Sequence, residues 1–164
     1  MLSNLLALTR ANRVVKLEGP NGSGKSTLLV EYQVHLARNG LGFGVYSQHE
    51  SVFEELTGNE LFAISGLVTA GYWLQKLDGE AAIHKRLSVM SSGEKSKVLL
   101  ALALCADIVV LDEPLSHLDQ TSRKKLQSLV AESDSLFVIA NHEPGAFPGA
   151  TLLELASAQS PSEN

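Results

Sequence analysis

Residues 19–27 read GPNGSGKST. Few stretches restrict a chain so tightly. Gly19, Gly22 and Gly24 let the backbone curl, so that the N–H groups of Asn21, Gly22, Ser23, Gly24, Lys25, Ser26 and Thr27 can turn toward one anion. The run Val14–Glu18 before it is short and partly β-branched, which reads as a buried strand. The run after it, from Lys25 to Arg38, reads as a helix stopped by Asn39-Gly40. A strand, this loop and a helix N-terminus make a phosphate cradle. In it Lys25 reaches β- and γ-phosphates and the Ser26 hydroxyl ligates Mg²⁺.

Other runs extend the alternation. Phe43–Ser47, Ile108–Leu111 and Leu136–Ala140 read as strands, and Thr151–Leu155 as a last edge strand. Glu94–Leu104 and Ser122–Ala131 read as helices, the second with Leu126, Leu129 and Val130 on one face. Residues 50–88 are expected to be mostly helical, with Leu56, Leu61, Ile64, Leu67 and Leu74 as apolar positions and glycines cutting the region into pieces. The expected architecture is α/β, a mostly parallel sheet flanked by helices. Its extent is 1–156, with a small helical subdomain at about 50–92 and a disordered tail at 157–164.

Residues 108–113 read IVVLDE. Four apolar residues deliver Asp112 and Glu113 to the end of a buried strand, where open α/β sheets bind ligands. Asp112 there can hold Mg²⁺ through water, and Glu113 can polarise a water for attack on a γ-phosphate.

Composition removes several function classes. The net charge is -5 with no long basic run, so nucleic acid is not an expected partner. Cys105 is the only cysteine, which excludes an intrachain disulfide and fits a reducing compartment. It lies in an apolar run and reads as a small buried packing residue. His35, His84 and His117 do not fall at metal-ligand spacing. Met1–Leu8 lacks the basic start and long apolar core of a leader. The most apolar stretch, Val98–Leu111, is too short to span a bilayer and is interrupted by Asp107, so membrane work would need a partner.

Taken in order, these motifs resemble those of the ATP-binding-cassette (ABC) ATPases. GPNGSGKST is similar to Walker A and IVVLDEP to Walker B. Ser47-Gln48 resembles the Q-loop, and MSSGE followed by KSKVLLALAL resembles the signature and its helix. Ser116-His117-Leu118-Asp119 resembles the D-loop and Asn141-His142 the H-loop. The set runs from Gly19 to His142. The resemblance implies a P-loop NTPase fold and an ATPase using ATP and Mg²⁺. It implies that Gln48 senses Mg²⁺ and the attacking water, that His142 contacts the γ-phosphate, and that Asp119 helps arrange a partner's site. In this family two cassettes dimerise head to tail, each ATP lying between the Walker A of one chain and the signature of the other. Ser91, Ser92 and Gly93, at a helix N-terminus, suit such a second anion site.

The sequence also departs from the family pattern. The usual signature is LSGGQ; here Met90, Ser92 and Glu94 replace Leu, Gly and Gln. Ser92 is tolerable only with a negative φ at its position or in a roomy site. Glu94 suits a helix N-terminus but brings charge near phosphate, so activity is expected to survive at a reduced level. No aromatic precedes Tyr32, whereas the family stacks an upstream aromatic on adenine. Only one helix and one strand fit between Lys25 and Gln48, so the antiparallel β-subdomain is expected to be reduced.

The expected role is the ATP-hydrolysing subunit of a transporter: a homodimer, cytoplasmic and held on the inner face of the cell membrane by an integral membrane permease. Leu56–Leu61, LTGNEL, resembles a stretch in transporter cassettes. The alternative is a soluble ABC ATPase outside transport, acting with a protein or ribonucleoprotein, since SGEK and SHLD resemble translation-associated members. A non-catalytic binding module fits poorly with intact Lys25, Asp112, Glu113 and His142.

Overall fold

The largely apolar runs become five strands of one sheet, and every pairing is parallel. The computed structural model describes residues 1–47 and 53–156. Its strands are β1 (Val14–Glu18), β2 (Gly44–Ser47), β3 (Ile108–Asp112), β4 (Leu136–Ala140) and β5 (Thr151–Glu154), in spatial order β2-β3-β4-β1-β5. A parallel sheet is covered on both faces, so its central strands need apolar residues at successive positions. Val109, Val110 and Leu111 of β3 and Phe137, Val138 and Ile139 of β4 are all buried. On one face Val15, Leu17, Val110 and Val138 pack with Leu5 of α1 (Leu2–Ala11) and with Leu28, Leu29, Tyr32 and Leu36 of α2 (Lys25–Arg38). On the other, Val109, Leu111, Phe137 and Ile139 meet two further helices. These are α5 (Ser92–Ala103), through Leu100 and Ala103, and α6 (Gln120–Glu132), through Leu126 and Val130.

Helix ends follow local chemistry. Gly40 takes φ 69° past the end of α2, and Leu41 N–H returns to Leu36 O (3.1 Å), closing the turn Asn39-Gly40 promised. Both α5 and α6 begin two residues before the expected starts, because side chains cap them: Ser91 accepts from Glu94 N–H, and Asp119 from Ser122 N–H. Helix α1 was not among the expected elements, although Leu2, Leu5 and Leu8 recur at helical spacing. The reduction expected of the antiparallel part is complete among the described residues. The one antiparallel pairing there is an isolated bridge between Thr57 and Arg86.

Residues 53–91 form α3 (Gly58–Ser65), α4 (Ala70–Lys76) and two short 3₁₀ turns. Leu61, Leu74, Ala82, Leu87 and Met90 pack on Val98 and Ala101 of α5. Of the expected apolar positions, Leu61 and Leu74 are buried, but Ile64 and Leu67 are 69% and 39% exposed. Helix α3 ends at Gly66, and its last turn extends past the small cluster that it covers. Cys105 is half-buried rather than buried; its Sγ donates to Ala101 O (3.2 Å), and burial pushes the thiol's pKa up. The expectations for 48–49 and for the tail 157–164 lie outside the described residues. Among those described, no helix is long and apolar enough to cross a membrane.

The start of β2 is set by close approach. A Cβ on Gly44 would lie 2.0 Å from the carbonyl oxygen of Ala103. Gly44→Ala should therefore cost about 2 kcal/mol or more in urea unfolding. Gly42→Ala, with nothing within 4 Å, should stay within about 0.5 kcal/mol of the parent.

Candidate nucleotide site

Because every strand points the same way, their carboxyl ends share one edge. Gly19 follows β1, Ser47 ends β2, Asp112 ends β3 and Asn141-His142 follows β4. The loop after β1 has the backbone its glycines allow: Gly22 and Gly24 hold φ 77° and 89°. Gly19 is fixed by crowding, since a Cβ there would lie 2.6 Å from Leu155 O and 2.7 Å from Ser23 Oγ. Lys25 Nζ donates to the carbonyls of Gly19 (2.7 Å) and Pro20 (3.0 Å). An ammonium has three donors, so one remains for an anion. Ser23 Oγ is a buried polar atom inside the loop with no partner among the described residues. Asn21 and Gly22 at the tip, and Ser26 and Thr27 in the first turn of α2, are exposed. That turn carries N–H groups with no intrahelical acceptor.

Ser26 and Asp112 line the same cleft of about 250 Å³, with Tyr46 and Ser47. A hydroxyl and a carboxylate facing one space form an oxygen donor set suited to a hard divalent cation. Gln48, the next residue after Ser47, lies outside the described residues. Glu113 is held at φ 50°, rare for a side chain larger than Gly and a sign of local strain. Its N–H donates to Ala140 O (2.9 Å), and Ser116 Oγ donates to its carbonyl (2.8 Å). These contacts fix the carboxylate beside His142, with Oε2 2.7 Å from Nδ1. A carboxylate only accepts, so Nδ1 carries the proton in this pair.

The signature residues stand apart. Ser91 caps α5: its Oγ accepts from Glu94 N–H (3.2 Å), while Ser91 N–H donates to Glu94 Oε2 (2.9 Å). Ser92 opens the helix with an ordinary negative φ, which resolves the requirement set by replacing Gly. Glu94 is partly neutralised. Lys85 Nζ donates to its Oε1 (2.7 Å), and this contact with the Ser91 N–H bond holds the carboxyl below its usual range. Gly93 is tight against the neighbouring loop, where a Cβ would lie 3.0 Å from His117 O. Asp119 accepts from Ser122 N–H and Oγ (both 2.9 Å) and has Lys97 at 3.8 Å; these hold its carboxyl down as well. Among the described residues, no side-chain hydrogen bond joins Ser91–Gly93 to the phosphate loop. Ser92 lines an adjoining cleft of about 210 Å³ with Lys95, Ser96 and His117, which shares Tyr46 and Ser47 with the Ser26–Asp112 cleft.

Solved structures share this fold. The fold matches a dimeric bacterial ABC transporter cassette, MJ0796, with a TM-score of 0.73 over 88% of this chain and 82% of that one, at 20% identity. In sequence, the chain is 30% identical to the ATP-binding protein Uup of Caulobacter vibrioides over 83% of its length. This chain is an ATP-binding cassette. It is also 30% identical, over 79% of its length, to the zinc import ATP-binding protein ZnuC of Alkalilimnicola ehrlichii. The cassette spans 26% of the first relative and 56% of the second. No family model matches it.

Sequence reasoning missed a group of charged residues behind the site. Lys16 is 1% exposed in β1, and Arg123 and Glu143 form an ion pair (2.7 Å). A lysine in the middle of a buried strand was the available signal.

The Glu94 contacts carry a pH dependence. Its pKa is lower in the folded chain than the ordinary 4.5. The stability it contributes is therefore complete above 4.5 and is lost as pH falls through the lower folded value. Thermal unfolding of Glu94→Gln should show a smaller acid-side loss than the parent between neutral pH and about pH 3.

Proposed function

We propose that this cassette binds ATP and hydrolyses its β–γ phosphoanhydride as a dimer of two copies, and that hydrolysis powers transport through an integral membrane partner. The observation that carries the reading is the Glu113–His142 pair, at the strand edge that also holds the Ser26–Asp112 cleft. The N–H groups of the loop 19–27, the free donor of Lys25 and the first turn of α2 bind the phosphates. Ser26 and Asp112 are the residues that would hold Mg²⁺, with Gln48 completing the set; the ion supplies positive charge against the phosphate oxygens. Glu113 accepts the proton of the attacking water as the water's oxygen bonds to the γ-phosphorus and the bond from that phosphorus to the β–γ bridging oxygen breaks, with ADP as the leaving group. His142 orients that carboxylate through Nδ1. To donate from Nε2 to a γ-phosphate oxygen as well, the ring must carry both protons.

The start of α5 supports the dimer. Ser91–Gly93 present a hydroxyl-rich helix end, which is assigned to the ATP of a second copy, with Asp119 at the start of the next helix. The dimeric solved cassette supports this reading. A transport role is supported by the relative named for zinc import. Membrane association would come through the partner, placing the cassette on the cytoplasmic face.

Phosphate release from Mg²⁺-ATP tests the hydrolytic reading. The parent should turn over, and Glu113→Gln should lose about 100-fold or more in kcat, the scale of a missing general base. A Glu113→Gln variant as fast as the parent would contradict it. Affinity purification from membranes tests the transport role. An integral membrane protein should co-purify, and recovery of soluble proteins alone would contradict transport.

A further inference from the structure

Lys16 lies at the centre of β1 between Val15 and Leu17, both fully buried, and is itself 1% exposed. A buried ammonium is costly unless its donors are met. Here Nζ donates to the main-chain oxygen of Glu143 (2.7 Å) and pairs with Glu18 Oε1 (3.3 Å). Glu18 immediately precedes the phosphate loop, and Glu143 immediately follows His142.

Glu143 is engaged at each of its polar groups. Its N–H donates to Asn141 Oδ1 (2.6 Å), its carbonyl accepts from Lys16, and its Oε1 accepts from Arg123 Nη1 (2.7 Å). Arg123 Nε in turn donates to Leu118 O (2.9 Å), next to Asp119. The His142 side chain, by contrast, is 56% exposed, and Glu113 is its one side-chain hydrogen-bond partner among the described residues. Among the described residues Asn141 Nδ2 is buried with no partner, which works against this loop conformation. Other contacts must therefore hold 141–143 in place, and among them the Lys16 bond is the one made by a buried side chain of β1.

The geometry points to Lys16 as a positioning residue for His142. It clamps the main chain of the 141–143 loop to the strand that enters the phosphate loop, so that His142 meets Glu113. Arg123 completes the clamp from the Asp119 side. This inference rests on the hydrolytic reading for its kinetic consequence only; the clamp itself is independent of it.

Lys16→Met keeps the volume and removes the charge and the donors. In a variant that still unfolds cooperatively, KM for ATP should stay within about threefold while kcat falls about tenfold or more, because the nucleotide is still held and a reacting group is misplaced. The ¹³C–¹H resonance of the His142 ring should move toward its position in Glu113→Ala, where the pair is absent. Arg123→Met, at a half-exposed position, should move both readouts the same way and decides the matter if Lys16→Met does not fold. A folded Lys16→Met with parental kcat and an unmoved His142 resonance overturns the inference. So does a loss of nucleotide binding with that resonance unmoved. If the parent itself releases no phosphate, the hydrolytic reading fails, and the His142 resonance alone decides the clamp.

Discussion

In the sheet, Asp112 lies level with Ser47 of β2 on one side and with Ala140 of β4 on the other. Leu17, two residues before the phosphate loop, is level with Ala140 in turn. This parallel register sets the relative positions of the separate motifs. A slip of one residue would turn every side chain of a strand to the opposite face and bury Asp112 against a helix. The cleft shared by Ser26 and Asp112, and the pairing of Glu113 with His142, both depend on four strands ending together. The core serves that register: the apolar runs of β3 and β4 are satisfied only when both faces are covered, by α1 and α2 on one side and α5 and α6 on the other.

The start of α5 is built on different physics. Its position follows from a helix cap in which Glu94 takes part. Glu94 receives the Ser91 N–H and the Lys85 ammonium, so its charge is spent locally. Ser92 occupies the first helical position, where glycine has no conformational advantage. The residues that depart from the family pattern thus have structural reasons to be acceptable in this chain.

The sequence made part of this legible. GPNGSGKST and IVVLDE are contiguous, and each carries its own strand and turn signals, so their placement could be read directly. The starts of α5 and α6 were read late because Ser91 and Asp119 recruit residues that have little helical pattern of their own. Ile64 misled because apolar spacing says nothing about where a short helix outruns its support, and Leu67 because the helix has already ended at Gly66. The clamp was invisible for a different reason. Lys16 and Glu143 are 127 residues apart, and their bond uses a main-chain oxygen that no side-chain pattern records.

The central claim is that each catalytic unit is shared between two chains. Mixing two inactive variants tests it most directly. Ser91→Arg spoils the signature and keeps the phosphate loop; Lys25→Ala spoils the phosphate loop and keeps the signature. The account predicts negligible ATP turnover by either alone and recovered turnover on mixing, as one composite site is restored in each mixed dimer. Parental turnover by Ser91→Arg on its own would contradict it, leaving MSSGE as a helix cap and nothing more.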